Sequence, residues 1–398
     1  MLYKRKLASA LENCRDRFGA FDHAHVGDLA RYREALAFAF GLPAAELADR
    51  LKGKESPGAL PSEEFGRSTG IRVPFGTGWR NHREAREWAL EHIRGVTTLA
   101  VDGSQIQPSK DYSIPVGAIQ IGWFENPHLQ GQPYVKDVAL EVLLPEDLGA
   151  PRPDVGAFSE LAVDRRRFCG EIAKMTEYMG RCSGQEPRPI VFLDGTLVVS
   201  FVANLPESEA RPYVDAVIDL LRTSEARRVP VVAYIDTSYA RDLVTMLSTL
   251  IGIPPSQRVT DAQVLNTRAM VWGDRTQALV CARGDILRLY ADPGSGQDFT
   301  REVCCVYLKT SAAGPPARID FPRWILREGL LDYVMNVVRS EAIIGGGYPY
   351  CLETADAVAV LSVEDRAVFY QVLQDFSSKQ GLSLRVAPKP ASKRRRRV

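Results

Sequence analysis

Two stretches decide the fold of this chain: Val101-Asp102-Gly103-Ser104, which ends the apolar run 97–101, and Leu193-Asp194-Gly195-Thr196, which ends the apolar run 190–193. Each run is typical of a buried strand, and each is followed by Asp-Gly-Ser or Asp-Gly-Thr. Since the carboxyl ends of parallel strands meet at one edge of a sheet, we expect Asp102 and Asp194 to lie close together. Asp-Gly is also a common turn dipeptide, so a purely structural role for either pair stays open.

The elements around these stretches alternate in a regular order. Three strands are followed by helix, strand, helix, strand and helix, which predicts a mixed sheet flanked by helices, with an antiparallel meander first and crossovers later. The predicted strands are 97–101, 116–124, 138–144, 190–193 and 229–235, and the predicted helices are 158–179, 207–227 and 239–251.

The ends of the chain differ from this central pattern. Residues 1–52 show helical spacing of apolar positions, and 53–80 are rich in Gly and Pro, which indicates a linker or surface loop. We therefore expect an N-terminal helical region with linker over 1–95 and one domain over 96–385. The basic segment 386–398 is expected to be a disordered tail, which either binds phosphates or is merely solvated.

Composition restricts the class of protein. The net charge is +1, 45% of the residues are hydrophobic, and no apolar run reaches the ~18 residues of a membrane span. The N-terminus has no apolar segment typical of a signal peptide. The seven cysteines form no CxxC pair, which favours reduced thiols, no structural zinc and a cytoplasmic protein without membrane contact.

Two neighbouring carboxylates remain ionised together only if a cation lies between them, and hard oxygen ligands suit Mg²⁺ or Mn²⁺. A third acid is expected from the helix 158–179, which carries Glu160, Glu171 and Glu177. Glu171 is favoured because it lies beside the apolar stripe of that helix. Glu177 is the alternative, and a surface ion pair of Glu171 with Arg167 is the plain structural interpretation.

The segment 345–356 is a further candidate. Three glycines precede Tyr348-Pro349, and Asp356 follows about one turn into the next predicted helix, from which its carboxylate could point toward the strand ends. Asp236 ends the strand 229–235 in a similar way, but a helix cap near Tyr239 explains it as well, so it is left out of the metal set.

At this point the chain resembles the NurA family of DNA-end-processing nucleases, which have an RNase H-like core and work with the hexameric ATPase HerA. No single motif decides the resemblance, but the order and spacing of several motifs over about residues 98–370 are fairly specific. The matching residues are Val101-Asp102-Gly103-Ser104, Leu193-Asp194-Gly195-Thr196, Gly273-Asp274-Arg275-Thr276, Ile319-Asp320-Phe321-Pro322-Arg323-Trp324, and Gly345-Gly346-Gly347-Tyr348-Pro349 with Leu352, Ala355 and Asp356.

The resemblance implies roles for the candidate residues. Asp102, Asp194, a helical Glu (taken as Glu171) and Asp356 would bind the catalytic metal, typically Mn²⁺ in this family, and Tyr348 matches the tyrosine of its Tyr-Pro motif. The family usually has Ala-His where this chain has Ala355-Asp356. We expect one ion at Asp102 and Asp194 to activate water and a second near Glu171 and Asp356 to stabilise the leaving 3′-oxygen.

The function implied is a Mn²⁺- or Mg²⁺-dependent deoxyribonuclease, an exonuclease with possible endonuclease activity, that resects or degrades DNA ends in repair or defence. Its expected partners are DNA, a HerA-type translocase and a second copy of the chain. The alternative is a catalytically inactive RNase H-like adaptor that docks on an ATPase ring. A phosphatase or sugar kinase is less favoured, since Gly345-Gly346-Gly347 is not followed by the Lys-Ser/Thr of a phosphate loop.

Overall fold

The structure is a computed structural model that describes residues 2–66, 70–149, 160–182, 184–292 and 296–385. The predicted start of a helix at Phe158 and the basic tail 386–398 lie outside the described residues. The helices are α1 Lys4–Glu12, α2 Arg15–Ala39, α3 Ala44–Leu51, α4 His82–Ile93, α5 Glu160–Arg181, α6 Glu207–Arg227, α7 Asp242–Ile251, α8 Asp261–Leu265, α9 Gly284–Leu287, α10 Arg323–Arg327, α11 Leu331–Ile344, α12 Tyr350–Ala359 and α13 Val363–Lys379. The strands are β1 Gly58–Pro61, β2 Arg72–Val73, β3 Thr98–Ile106, β4 Gly117–Asn126, β5 Val135–Leu143, β6 Ile190–Asp194, β7 Val231–Ile235, β8 Arg275–Thr276, β9 Leu279–Ala282, β10 Ala291–Asp292, β11 Gln297–Asp298, β12 Val303–Leu308 and β13 Ala317–Pro322.

Contacts between Cα atoms group the chain into two compact units. Unit 1 comprises the chain up to Arg80 together with Tyr234–Leu330, and unit 2 comprises Asn81–Ala233 together with the chain from Leu331 onward. The N-terminal region thus packs with a segment that lies far away in sequence. The division at residue 95 rests on composition and stays a prediction.

Unit 1 contains a sheet with the strand order β1-β9-β12-β13. The antiparallel pairing of Gly58–Pro61 with β9 shows that part of the predicted linker 53–80 is a strand instead. The N-terminal helices were predicted correctly, and α2 packs on α7, where the hydroxyl groups of Tyr32 and Ser248 are 2.8 Å apart. Local Gly and Pro content indicated a loop, but pairing with a strand more than 200 residues away determines the conformation.

Unit 2 contains the predicted mixed sheet flanked by helices. Its strand order is β7-β6-β3-β4-β5, in which β3, β4 and β5 form the predicted antiparallel meander and β6 runs parallel to β3. A helix connects β5 to β6 and another connects β6 to β7. The prediction of a mixed sheet flanked by helices is confirmed.

The first strand of this core is longer than predicted. Antiparallel pairing with β4 continues from Thr98 through Asp102 to Ile106, so the strand does not end at Val101. Parallel pairing with β6, in contrast, stops at the pair Val101–Leu193. The Asp-Gly-Ser sequence therefore marks the end of the parallel pairing and not the end of the strand.

Helices α5 and α12 cover opposite faces of the sheet of unit 2. A Cβ at Gly170 of α5 would lie 3.2 Å from Ile121 Cδ1, whereas a Cβ at Gly122 would lie 2.8 Å from the backbone of Ala359 in α12. Since consecutive residues of a strand face opposite sides, Ile121 and Gly122 assign the two helices to the two faces. Residues of both helices can therefore approach the same strand from either side.

Two further features concern the cysteines and the character of the helices. All seven cysteines are free, and five of them are buried. Among the described residues, no helix combines the length and the apolar character that crossing a lipid bilayer requires.

Candidate metal centre

Asp102 and Asp194 lie at one edge of the parallel part of the sheet of unit 2. Val101 and Leu193 are the last parallel pair of β3 and β6, and the two aspartates follow them directly. Asp102 is partly buried within β3, while Asp194 is exposed at the last residue of β6. The register thus brings the two predicted carboxylates to adjacent positions.

Glu171 of α5 joins them from one face of the sheet. Its side chain is only 7% exposed, and a Cβ at Gly103 would lie 2.5 Å from its Oε1 atom. The absence of a side chain at Gly103 therefore makes room for this carboxylate. Glu177 is 57% exposed and forms an ion pair with Lys174 at 3.1 Å, so the structure brings Glu171, not Glu177, to the site.

Asp356 approaches from the opposite face of the sheet. It lies two turns into α12, which contacts β3 and β4, and its carboxyl group is close enough to Asp102 to raise the pKa of Asp102. Gly122 lies opposite Asp102 in the antiparallel register, and its lack of a side chain lets α12 approach the sheet closely. The four predicted acids thus come from two strands and from one helix on each face.

The start of α12 is fixed by a buried acid that the sequence analysis missed. Glu341 of α11 accepts hydrogen bonds from the Thr98 hydroxyl at 2.8 Å and from the backbone N–H of Cys351 at 3.0 Å. It thereby satisfies one of the unpaired N–H groups in the first turn of α12. The signal in the sequence was an isolated acid in the apolar helix 331–344.

Tyr348 lies in the turn between α11 and α12, two residues before α12 begins, and is partly buried. Its carbonyl oxygen would be 2.0 Å from a Cβ at Gly345, so the turn requires glycine at that position. Tyr348 thus lies on the segment that carries Asp356, as the sequence indicated.

The electrostatics of the site favour binding of a cation. Burial raises the pKa of Asp102 to about 6, and the neighbouring carboxyl groups of Asp356 and Asp194 raise it as well. Burial also raises the pKa of Glu171 to about 7, with further contributions from Asp102 and Asp194, while Arg167 lowers it. Crowded carboxylates whose charges disfavour one another are relieved by a divalent cation, and carboxylate oxygens are the donors that Mg²⁺ and Mn²⁺ prefer. The four acids therefore fit the predicted metal.

No three of these acids, all of which the structure describes, have oxygen atoms that all lie within 4.8 Å of one another. In the described ranges, the only three potential ligand atoms found within 4.8 Å of one another belong to Cys281, Cys305 and Asp320 of unit 1. Arg318 lies among these three, since it donates to Asp320 Oδ1 at 2.6 Å and to Cys281 Sγ at 3.3 Å. A guanidinium compensates the charge of Asp320 there, and in unit 2 the guanidinium of Arg167 forms an ion pair with Glu171.

The other motifs of unit 1 form structural contacts. Asp274 accepts hydrogen bonds from the Arg72 side chain at 2.7 Å and from the backbone of Phe75 at 3.0 Å. Arg275 forms a bidentate pair with Glu64 at 2.6 and 2.8 Å. Asp236 accepts from the Thr237 hydroxyl, and α7 begins only at Asp242, so the suggested cap of a helix near Tyr239 is wrong.

Comparison with known proteins identifies the family of the chain. The family model of the NurA domain matches residues 96–361. No curated protein sequence matches the chain significantly. A crystal structure of NurA with manganese has a TM-score of 0.43 and 8% identity over 71% of this chain and 89% of its own, and another NurA crystal structure has 0.44 and 9% over the same shares. The catalytic domain of human Endonuclease V has a TM-score of 0.29 and 11% identity over 76% of this chain and 96% of its own. Because the family model covers more than half of the 398 residues, the chain belongs to the NurA family.

Proposed function

We propose that this protein is a metal-dependent deoxyribonuclease that hydrolyses phosphodiester bonds at DNA ends. The observation that supports this proposal is the convergence of Asp102, Glu171, Asp194 and Asp356 on one edge of the sheet. Such a group of acids is costly for the fold, because burial and mutual repulsion raise the pKa values of Asp102 and Glu171. A cost of this kind is typical of sites that act on a substrate.

The cofactor proposed is Mn²⁺ or Mg²⁺, with two ions per site held by the four carboxylates. When bound, such ions supply an activated water molecule and neutralise charge on the leaving oxygen. Asp102 and Asp194 lie on neighbouring strands and provide a rigid pair of donors. Glu171 and Asp356 come from helices on the two faces of the sheet and would add donors to an ion held by Asp102 and Asp194.

Tyr348 is proposed as a substrate contact. It lies beside the start of α12, where its hydroxyl can donate a hydrogen bond to a phosphate oxygen or its ring can stack on a base. No histidine of this chain falls in the motifs that carry the site, since the five histidines are at positions 23, 25, 82, 92 and 128. In the proposed mechanism the four carboxylates would hold the ion, the ion would supply the activated water, and no histidine base would be needed.

The biological setting proposed follows from the family. We infer that the protein works in the cytoplasm as a homodimer with a HerA-type hexameric translocase, in DNA repair or defence. Resection at DNA ends, with exonuclease and some endonuclease activity, is the corresponding reaction. The domain 96–385 would carry the catalysis, and the basic tail 386–398 would add contacts to DNA phosphates.

The test is nuclease activity of Asp102→Asn and Glu171→Gln on a linear DNA duplex with Mn²⁺. We expect each change to lower the rate by more than the roughly 10- to 100-fold that loss of an outer metal contact costs. Glu177→Gln is the matched control, because Glu177 lies on the same helix and is paired with Lys174. Full activity of both Asp102→Asn and Glu171→Gln would rule out this site.

The alternative function is an adaptor that retains the fold and binds an ATPase ring without catalysis. A calorimetric titration with Mn²⁺ distinguishes the two, since the nuclease should bind the ion stoichiometrically. The adaptor should bind no ion at the four acids and should show no change when Asp102 is replaced.

A further inference from the structure

The ion-free site contains a cation of its own, the guanidinium of Arg167. Arg167 lies one turn before Glu171 on α5, and its Nη1 donates a hydrogen bond to Glu171 Oε1 and another, at 3.4 Å, to the carbonyl oxygen of Gly103. Its Cγ would be 2.8 Å from a Cβ at Gly103. Arg167 therefore occupies the same gap at Gly103 of β3 that admits Glu171.

The side chain of Arg167 is held incompletely. Its Nε is buried and has no hydrogen-bond partner among the described residues, although an arginine fork can donate five hydrogen bonds. Its side chain is 27% exposed, compared with 7% for Glu171, so part of Arg167 reaches solvent. An arginine with spare donors and a path to the surface can change partners without unfolding its helix.

The neighbouring arginine differs in both respects. Arg166 points to the edge strand of the sheet, where it donates two hydrogen bonds to Glu141 Oε1 at 2.7 and 3.0 Å. Its side chain is 61% exposed, so its pairing is a surface ion pair. Of these two arginines, only Arg167 therefore contacts one of the four predicted acids, Glu171.

A divalent cation and a guanidinium compete for the Glu171 carboxylate, because both are attracted to its negative charge and repel each other. We propose that Arg167 is an exchangeable counterion: it neutralises Glu171 in the ion-free protein, releases it to a divalent cation, and then binds a phosphate group of the DNA. A guanidinium matches the geometry of a phosphate through two parallel hydrogen bonds. This inference rests on the proposed function, since it assumes that Glu171 binds metal.

The test compares Mn²⁺ affinity of the full chain with that of Arg167→Met, by calorimetry. Removing the competitor should raise Mn²⁺ affinity by about tenfold, the factor that corresponds to one charge-assisted hydrogen bond. If Arg167 only orients Glu171, the same change should leave the affinity unchanged or weaken it. Either of these results would overturn the proposal.

The second readout is DNA binding, measured by fluorescence anisotropy of an end-labelled duplex with Ca²⁺ as a probe ion. Arg167→Met should weaken binding about tenfold although it binds Mn²⁺ more tightly, and Arg167→Lys should retain part of the DNA affinity. Unchanged DNA affinity in Arg167→Met would also contradict the exchange. Arg166→Met is the control and should behave as the unchanged protein in the Mn²⁺ titration.

Failure of the metal centre and failure of the Arg167 exchange would give different experimental results. If the unchanged protein binds no Mn²⁺, the proposed metal centre and the exchange are both wrong. If it binds Mn²⁺ and the affinity depends on Asp102 but does not rise in Arg167→Met, the nuclease site stands and only the exchange is wrong.

Discussion

Gly103 is the residue on which the geometry of the acid cluster depends most directly. A Cβ at this position would lie 2.5 Å from Glu171 Oε1, 3.2 Å from Glu171 Cδ and 2.8 Å from Arg167 Cγ. Each separation is well below ordinary van der Waals contact, so Gly103→Ala must displace both side chains by up to about 1 Å. The change therefore displaces Glu171 without replacing any of the four acids.

We expect Gly103→Ala to have a smaller effect on stability than on nuclease activity. Overpacking costs about 1–3 kcal/mol, and the lower chain entropy of alanine in the unfolded state returns about 0.4–1 kcal/mol. Because the displaced atoms belong to side chains that can rotate, we expect the free energy of unfolding to fall by at most about 2 kcal/mol. A catalytic group misplaced by about 1 Å can cost roughly a hundredfold in rate, so nuclease activity should suffer far more than stability.

The assays are urea denaturation and the rate of DNA hydrolysis with saturating Mn²⁺. Gly180→Ala is the control on α5, since a Cβ there meets no atom within 4 Å. It should retain full activity and gain about 0.5–1 kcal/mol of stability. If Gly103→Ala retains both its stability and its rate, Glu171 does not need its observed position, and the reasoning is refuted.

Two further predictions concern the supports of the fold. A Cβ at Gly122 would lie 2.8 Å from backbone atoms of Ala359, so Gly122→Ala should shift α12, lower the free energy of unfolding by about 1–3 kcal/mol and reduce activity; wild-type values in both assays would contradict the close packing. Burial raises the pKa of Asp261 from 3.8 to about 6, so the folded state binds more protons than the unfolded state between these values and stability falls as the pH rises from about 4 to about 6. Asp261→Asn should remove up to about 3 kcal/mol of that decrease, and identical pH slopes of the two proteins in urea denaturation between pH 4 and 6 would contradict the shift.

The sequence predicted the core of unit 2 because its inner strands β3, β4, β6 and β7 are largely buried, and because long periodic helices lie before and after β6. The helix Glu207–Arg227 and the strand Ile190–Asp194 lie within one residue of their predicted bounds. The meander and the crossovers follow from the order of elements alone.

Two features depended on partners that local patterns do not reveal. The extension of β3 beyond Val101 is stabilised by pairing with β4, and an Asp-Gly sequence gave only the local turn signal. The strand β1 in the segment rich in Gly and Pro exists because β9, far along the chain, pairs with it. Long-range pairing overrides local propensity in both cases.

Only part of the candidate site could be predicted from the sequence. Asp102 and Asp194 followed from parallel pairing, which the topology specifies. Glu171 and Glu177 lie six residues apart on α5. The apolar stripe of the helix favoured Glu171, but only the packing of α5 on Gly103 shows which of the two reaches the site. The close approach of α12 at Gly122, which brings Asp356 to Asp102, has no counterpart in the local sequence.

The four acids of unit 2 are proposed to bind divalent cations. The most direct measurement is an anomalous difference map from a crystal of the full chain soaked in MnCl₂. We expect Mn²⁺ peaks in contact with Asp102 and Asp194, with Glu171 and Asp356 drawn toward them. Peaks only at other groups, for example at Cys281, Cys305 and Asp320, or no peak at saturating Mn²⁺, would contradict the account.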